Sequence, residues 1–161
     1  MKNDGVTLVE LMVVITIVAV MLGFAALSMV GMSRGAKLNE ARDQLLADIQ
    51  DVKLKSISGV PHAIYVTGGS TSYTVRKLNI NDANFIKDSE ADVDGAIVST
   101  VNLPSGMTIN TTISPQVWFD RKGLPKTSGW AQATGSFTLT KDGETRTIII
   151  SQTGRIQYEA R

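Results

Sequence analysis

Residues 5–14 read GVTLVELMVV, and the glutamate within this stretch governs how the whole chain is interpreted. Glu10 is followed by a run of 23 residues, 11–33, without a charged side chain. As a helix this run spans about 35 Å, slightly more than the roughly 30 Å hydrocarbon core of a bilayer. An ionised side chain inside an apolar span costs about 2.5–3.5 kcal/mol on insertion scales and usually marks a function. The stretch therefore predicts an apolar, membrane-compatible helix with a functional carboxylate near its start.

Two other readings of the apolar run stay open. A secretory signal peptide cleaved near Ala26-Leu27-Ser28 has a loosely suitable small-x-small site. Its apolar region is normally only about 7–15 residues long, however. A buried core helix is the second reading, and a run of this length is unusual in a soluble domain of 161 residues.

Glu10 needs a positive partner, and the one or two helical turns that follow it contain no Lys or Arg. Cleavage after Gly5 would create an α-amino group on Val6, four positions before the carboxylate. In a bundle of staggered identical helices, Glu10 of one subunit meets the Val6 amine of the next. Such a pair is strong in a low-dielectric interior, because each charge offsets the desolvation cost of the other.

The combination of Gly5, a hydrophobic Val6, Glu10 at a fixed offset and a long apolar run resembles the class III signal of type IV pilins and type II secretion pseudopilins. In that family a prepilin peptidase cuts after the glycine and methylates the new N-terminus. The resemblance implies a leader at residues 1–5, cleavage between Gly5 and Val6, N-methylation of Val6, and a role for Glu10 in assembly. Methylation keeps the amine charged, so the predicted pairing survives it.

The helical pattern continues beyond the apolar run with a single buried stripe. Apolar residues recur at steps of three or four, as in an amphipathic helix: Leu38, Ala41, Leu45, Ile49 and Val52. We expect one helix from near Val6 to near Ser58, with Gly23, Gly31 and Gly35 as weak points and 58–61 (Ser-Gly-Val-Pro) as its end.

The rest of the chain reads as β-rich, because short runs of Val, Ile, Thr and aromatic residues alternate with turn residues. Asp142-Gly143 between two alternating runs predicts a hairpin, and the polar, acidic residues 79–94 predict a surface loop. The candidate strands are 63–67, 72–78, 96–103, 107–113, 117–120, 136–140, 145–151 and 156–158. The predicted fold class is α+β: a long N-terminal helix packed on a C-terminal antiparallel β-sheet domain.

The β-rich half carries a second resemblance, on Trp118–Gly123, on Phe137-Thr138-Leu139 and on 148–156, which ends in Thr153-Gly154-Arg155-Ile156. This pattern is similar to the C-terminal domain of the H-type minor pseudopilins and T-type minor pilins (GspH/FimT). It implies a minor subunit near the filament tip or initiation complex. With the N-terminal signal, it divides the chain into a leader (1–5), a transmembrane or filament-core helix (6–33), an amphipathic continuation (34–58) and a β-rich domain (59–161).

The resemblance also implies partners and a location. The partners are other pilin or pseudopilin subunits, the prepilin peptidase, the assembly platform of the bacterial inner membrane, and that membrane itself before assembly. The chain would cross the membrane once, with its C-terminal domain in the periplasm. After assembly it would lie in a cell-surface pilus or a periplasmic pseudopilus.

Catalysis has little support in the sequence. The chain has no cysteine, which excludes thiol chemistry and a disulfide framework. His62, the single histidine, has no motif around it and reads as a packing or loop residue. The acidic residues Asp88, Glu90, Asp92 and Asp94 lack the glycine and distal glutamate of a calcium loop. We therefore expect neither enzyme activity nor a metal or other cofactor.

DNA binding is the alternative function. Residues 121–161 hold seven basic and three acidic side chains, and basic contacts to phosphate favour nucleic acid. Some T-type minor pilins resemble DNA-uptake receptors with a Gly-Arg-x-Arg motif, but here the second arginine is replaced by Gln157. Arg155, Arg146 and Arg161 are the candidate contacts, and ordinary surface charge is the favoured reading. A third reading is a membrane-tethered adaptor that never polymerises.

Overall fold

The structure, a computed structural model, describes residues 7–78, 96–113, 116–127 and 131–160, without the side chains of 25–34 and 160. The predicted processing site Gly5–Val6, the predicted loop 79–94 and Arg161 lie outside the described residues. The chain divides into two compact units, residues 1–36 and residues 37–161.

The first element is a single helix, α1, which runs from Leu8 to Ile57 and confirms the predicted continuous helix. Gly23, Gly31 and Gly35 all lie within it, because an isolated glycine costs only about 1 kcal/mol in a helix of this length. Its end is a Schellman motif, in which Gly59 has a φ of 97°. The Val60 N–H there donates to the carbonyl of Lys55 at 2.9 Å, and the Gly59 N–H donates to the carbonyl of Ser56 at 3.1 Å.

Within the first unit, every side chain from Thr7 to Phe24 is exposed. Most of them are apolar; Leu8 is 75% and Phe24 73% exposed. Over the residues that the structure describes, no helix meets the length and hydropathy requirements of a membrane span. The predicted run 11–33 continues past Phe24 into side chains outside the described set.

The second unit contains two antiparallel sheets. The first has the order β3-β2-β1-β5-β6 and the second the order β4-β7-β8-β9. The strands are β1 (His62–Tyr65), β2 (Ser72–Lys77), β3 (Ala96–Asn102), β4 (Met107–Thr111), β5 (Gln116–Phe119), β6 (Pro125–Lys126), β7 (Gly135–Lys141), β8 (Glu144–Ile150) and β9 (Ile156–Ala160).

All eight predicted strands are present, and no end differs from the prediction by more than two residues. The two-residue β6 was not predicted, because a strand this short has no alternating pattern. The predicted hairpin joins β7 to β8, with φ values of 51° at Asp142 and 84° at Gly143. Positive φ at both central residues is the type I′ geometry that matches strand twist.

The hydrophobic core lies between the second half of α1 and the sheets. The predicted stripe is buried: Leu38, Ala41, Leu45, Ile49 and Val52 are at most 7% exposed and share one cluster with side chains such as Phe137, Leu139 and Ile148. A fragment that keeps the whole core therefore has to begin near Lys37. A fragment that begins at Gly59 would lack the helical side chains that form one side of the core. The α+β fold of a long helix on an antiparallel β-domain is confirmed.

Candidate functional site

Two regions collect the residues that the sequence singled out: the start of α1 and the turn between β8 and β9. The start of α1 is fixed by Thr7, whose hydroxyl accepts a hydrogen bond from the Glu10 N–H at 3.2 Å. The carbonyl of Thr7 accepts from the Leu11 N–H at 3.1 Å. Thr7 is thus the N-cap, and Glu10 occupies the third helical position.

Thr7-Leu8-Val9-Glu10 consequently has the T-x-x-E spacing of a capping box. This spacing is visible in the sequence and by itself indicates a helix that starts at Leu8, two residues after the predicted start near Val6. A carboxylate here also lies at the positive end of the helix dipole, which stabilises negative charge. Glu10 is exposed in the single chain, so its carboxylate is accessible from outside the chain.

The second region is the tight turn that follows β8. The Gly154 N–H donates to the Ser151 carbonyl at 2.9 Å, and the Ser151 N–H donates to the Arg155 carbonyl at 3.0 Å. Gly154 is buried and has a φ of 77°, a conformation that favours glycine. A Cβ at this position would overlap the carbonyl oxygen of Gly123.

Gly123 belongs to a second turn, which is organised by Asp120. One carboxylate oxygen of Asp120 accepts from the backbone N–H groups of Lys122 and Leu124, each at 2.9 Å. The Gly123 N–H donates to the Asp120 carbonyl at 2.9 Å. The two motifs of the second resemblance, one ending at Gly123 and one at Gly154-Arg155, therefore pack directly against each other.

The helix also contacts this pair of turns. The Lys53 amine donates to the carbonyl oxygen of Gly154 at 2.8 Å. A Cβ at Gly123 would press on the side chains of Lys53 and Ile57. The end of α1 and the two glycine turns thus form one packed junction, which sequence reasoning missed because its members lie far apart along the chain.

The arginines proposed for DNA binding are not gathered at one place. Arg155 is exposed on the turn just before β9. Arg146 is paired with Ala160 at the other end of this five-residue strand, roughly 16 Å away. Its guanidinium is half-buried, donates to Asn39 at 2.9 Å and lies 3.8 Å from Glu144. Arg161 is outside the described residues.

The remaining chemical candidates behave as structural groups. His62 is buried, and its Nδ1 lies 2.8 Å from the carbonyl oxygen of Val60, to which the N–H tautomer donates. Within the part of the chain that the structure describes, no three His, Asp or Glu side chains cluster as metal ligands do. The acidic residues Asp88, Glu90, Asp92 and Asp94 lie outside it.

Comparison with known proteins bears on both regions. Residues 1–26 match the family model described as the prokaryotic N-terminal methylation motif. That segment contains Gly5, Val6 and Glu10. No curated protein sequence matches the chain significantly.

Two solved structures are similar to the chain. One is the type IV minor pilin FimU of Pseudomonas aeruginosa, at 16% identity and a TM-score of 0.57, covering 80% of this chain and 92% of that one. The other is the minor pseudopilin EpsH from the type 2 secretion system of Vibrio cholerae, at 10% identity and the same TM-score of 0.57. It covers 77% of this chain and 97% of that one.

The chain therefore has the fold of minor pilins and pseudopilins. Together with the N-terminal methylation motif, this fold supports the resemblance to minor pilins and pseudopilins of the GspH/FimT type.

Proposed function

We propose that the chain is a structural, non-enzymatic minor subunit of a type IV pilus or a type II secretion pseudopilus. The observation that carries this proposal is the presence, in one chain, of a methylation motif at 1–26 and a minor-pilin fold. The prepilin peptidase removes 1–5 and methylates Val6. The subunit waits in the inner membrane, with residues 37–161 in the periplasm, and then enters the filament near its tip or initiation complex.

The start of α1 supports a role for Glu10 in that assembly. The capped helix holds the carboxylate in its first turn, where a single chain leaves it exposed. The exposed apolar residues from Leu8 to Phe24 suit both lipid and a bundle of similar helices, because both surroundings are apolar. In such a bundle the Val6 amine of a neighbouring subunit neutralises Glu10.

Filament incorporation of Glu10→Ala in cells tests this proposal. We expect incorporation to be lost while the precursor still reaches the membrane. Glu40→Ala is the matched control, since Glu40 is exposed on the same helix in the second unit, and it should assemble normally. Undiminished incorporation of Glu10→Ala would contradict the proposed role of Glu10 in assembly. If even the unaltered chain never enters filaments, the protein is instead a membrane-tethered adaptor that does not polymerise.

DNA binding is a second candidate function, favoured by the exposed Arg155 beside Lys53 on the same face of the second unit. Retardation of duplex DNA by residues 37–161, measured at low and moderate salt, tests it. Binding through phosphates weakens steeply with salt. If the fragment leaves DNA unretarded even at low salt, this candidate is excluded.

A further inference from the structure

We propose that the groove between the last turns of α1 and the β8–β9 turn binds an acidic peptide segment with an apolar side chain, presented by a neighbouring subunit. The inference rests on the proposed function, because it takes that neighbour to be another subunit of the same filament. The lining residues are Gln50, Lys53, Leu54, Ile57, Gly154, Arg155 and Ile156.

The floor of this groove is apolar and accessible. Leu54 is 66% and Ile57 45% exposed, although both belong to the half of α1 that packs on the sheets. Ile156, at the start of β9, is half-buried beside them. The groove has a volume of about 480 Å³, within the usual range for ligand pockets. Clustered apolar exposure with a polar rim is typical of an interaction surface.

The rim of the groove is positive. Lys53 and Arg155 are its charged lining residues, and none of the acidic side chains that the structure describes lines it. Lys53 uses one N–H on the Gly154 carbonyl, which leaves two donors on its amine for a ligand. Asp51, one turn away on α1, is paired with Lys55 at 2.7 Å. The unmatched charge of the groove is thus complementary to carboxylates.

The two walls of the groove are also tied to each other by specific contacts. The packing of Gly154 on Gly123, the bond from Lys53 and the Schellman end of α1 fix its two walls. Preformed walls lower the ordering cost of binding, so a short segment is sufficient. Charge complementarity at the rim supplies specificity and speed of association.

The chemistry of the floor favours a protein over a nucleic acid as the occupant. Phosphodiester binding uses a track of basic side chains, whereas this groove combines two cations with the apolar side chains of Leu54 and Ile57. An acidic segment with a Leu- or Phe-like side chain could place that side chain on the apolar floor and its carboxylates at the positive rim. The flanking carboxylates would face Lys53 and Arg155.

Binding of a labelled peptide to the full-length chain in detergent micelles tests the proposal. The probe is a five-residue peptide of alternating Glu and Leu, compared with a Glu/Ser peptide, a Lys/Leu peptide and a duplex DNA oligonucleotide. We expect the Glu/Leu peptide to bind at least roughly fivefold more tightly than the others. Arg155→Glu and Leu54→Asp should each weaken that binding by about fivefold or more. Lys77→Glu is the control, because Lys77 is an exposed cation outside the groove, and it should change binding by less than about twofold.

Each other outcome overturns the proposal. Equal binding of the Glu/Ser peptide would show that the apolar floor is irrelevant. Tighter binding of DNA than of the Glu/Leu peptide, with a steep salt dependence, would assign the groove to nucleic acid. If the Glu/Leu peptide still binds to Arg155→Glu and Leu54→Asp with unchanged affinity, its binding site lies outside the groove. None of these results depends on filament incorporation, so failure of the groove is distinguishable from failure of the proposed function.

Discussion

Lys53 and Gly154 are joined by a 2.8 Å hydrogen bond across 101 positions of the chain, from the Lys53 amine to the Gly154 carbonyl oxygen. This bond ties the end of α1 to the turn that follows β8. Gly154 in turn packs on Gly123, so three distant segments meet at one point. The junction connects the stability of the second unit to the geometry of its groove.

Gly154→Ala is expected to destabilise the protein by about 2–5 kcal/mol. The positive φ of 77° contributes about 1–2 kcal/mol of strain, and the overlap of the new Cβ with the backbone of Gly123 adds about 1–3 kcal/mol. Urea unfolding of residues 37–161 measures the change. Gly69→Ala is the matched control, because Gly69 has a similar φ of 74° but open space around it. Equal losses at the two glycines would contradict the proposed close packing.

Lys53→Met is expected to lower the free energy of unfolding by about 1–2 kcal/mol. The reason is that the carbonyl of the buried Gly154 loses its charged hydrogen-bond donor. Lys55→Met should change it by less than about 0.5 kcal/mol, since the Lys55–Asp51 pair is a surface i,i+4 ion pair. The same unfolding measurement compares the two. A larger loss at Lys55 would show that the Lys53 bond does not hold the junction.

Tyr73 predicts a dependence of stability on pH. Its hydroxyl donates to Asp48 at 2.5 Å. Burial, followed by the hydrogen bond and the negative charge of Asp48, raises the pKa of the Tyr73 hydroxyl above its ordinary value of about 10. The folded state therefore holds this proton more tightly than the unfolded state. The resulting stability is fully present below about pH 10 and is lost progressively as the pH rises above it.

Tyr73→Phe should remove that loss and should also cost about 1–2 kcal/mol at neutral pH, because Asp48 loses a donor. Denaturant unfolding of both proteins between neutral pH and about pH 11 measures the difference. The gap between them should narrow above about pH 10. A constant gap across the range would show that Tyr73 does not release its proton on unfolding.

Thr7→Ala is expected to speed amide exchange at Glu10 about fivefold in the full-length chain in micelles, since an N-cap is worth about 1 kcal/mol. Thr7→Ser should retain the slow exchange, because its hydroxyl accepts the same bond. Hydrogen exchange followed by NMR gives both rates. If Thr7→Ala exchanges no faster than the native chain, the Thr7 hydroxyl does not cap α1.

The sequence predicted the local features of this fold well. The buried stripe from Leu38 to Val52 and the Asp142-Gly143 hairpin follow from periodicity and turn chemistry, both of which act over a few residues. The junction of Lys53, Gly123 and Gly154 could not be predicted from the sequence, because it depends on which strands pair. The order of strands in the two sheets is set by long-range packing that no short pattern encodes.

The candidate functional regions show the same division between local and long-range features. Glu10 and its spacing from Gly5 were legible because the signal is contiguous. The capping role of Thr7 was not predicted, although its spacing from Glu10 is also a contiguous signal. The distance between Arg155 and Arg146 could not be predicted without the register of β8 with β9. The groove could not be predicted either, because it is formed by the end of the helix and a turn about one hundred residues away.

Mass spectrometry of the mature chain isolated from cells tests the central claim most directly. The account predicts a polypeptide that begins at Val6 and carries one methyl group on its α-amine. A chain that still begins at Met1, or one that begins beyond residue 28, would contradict the proposed processing and the pairing of that amine with Glu10.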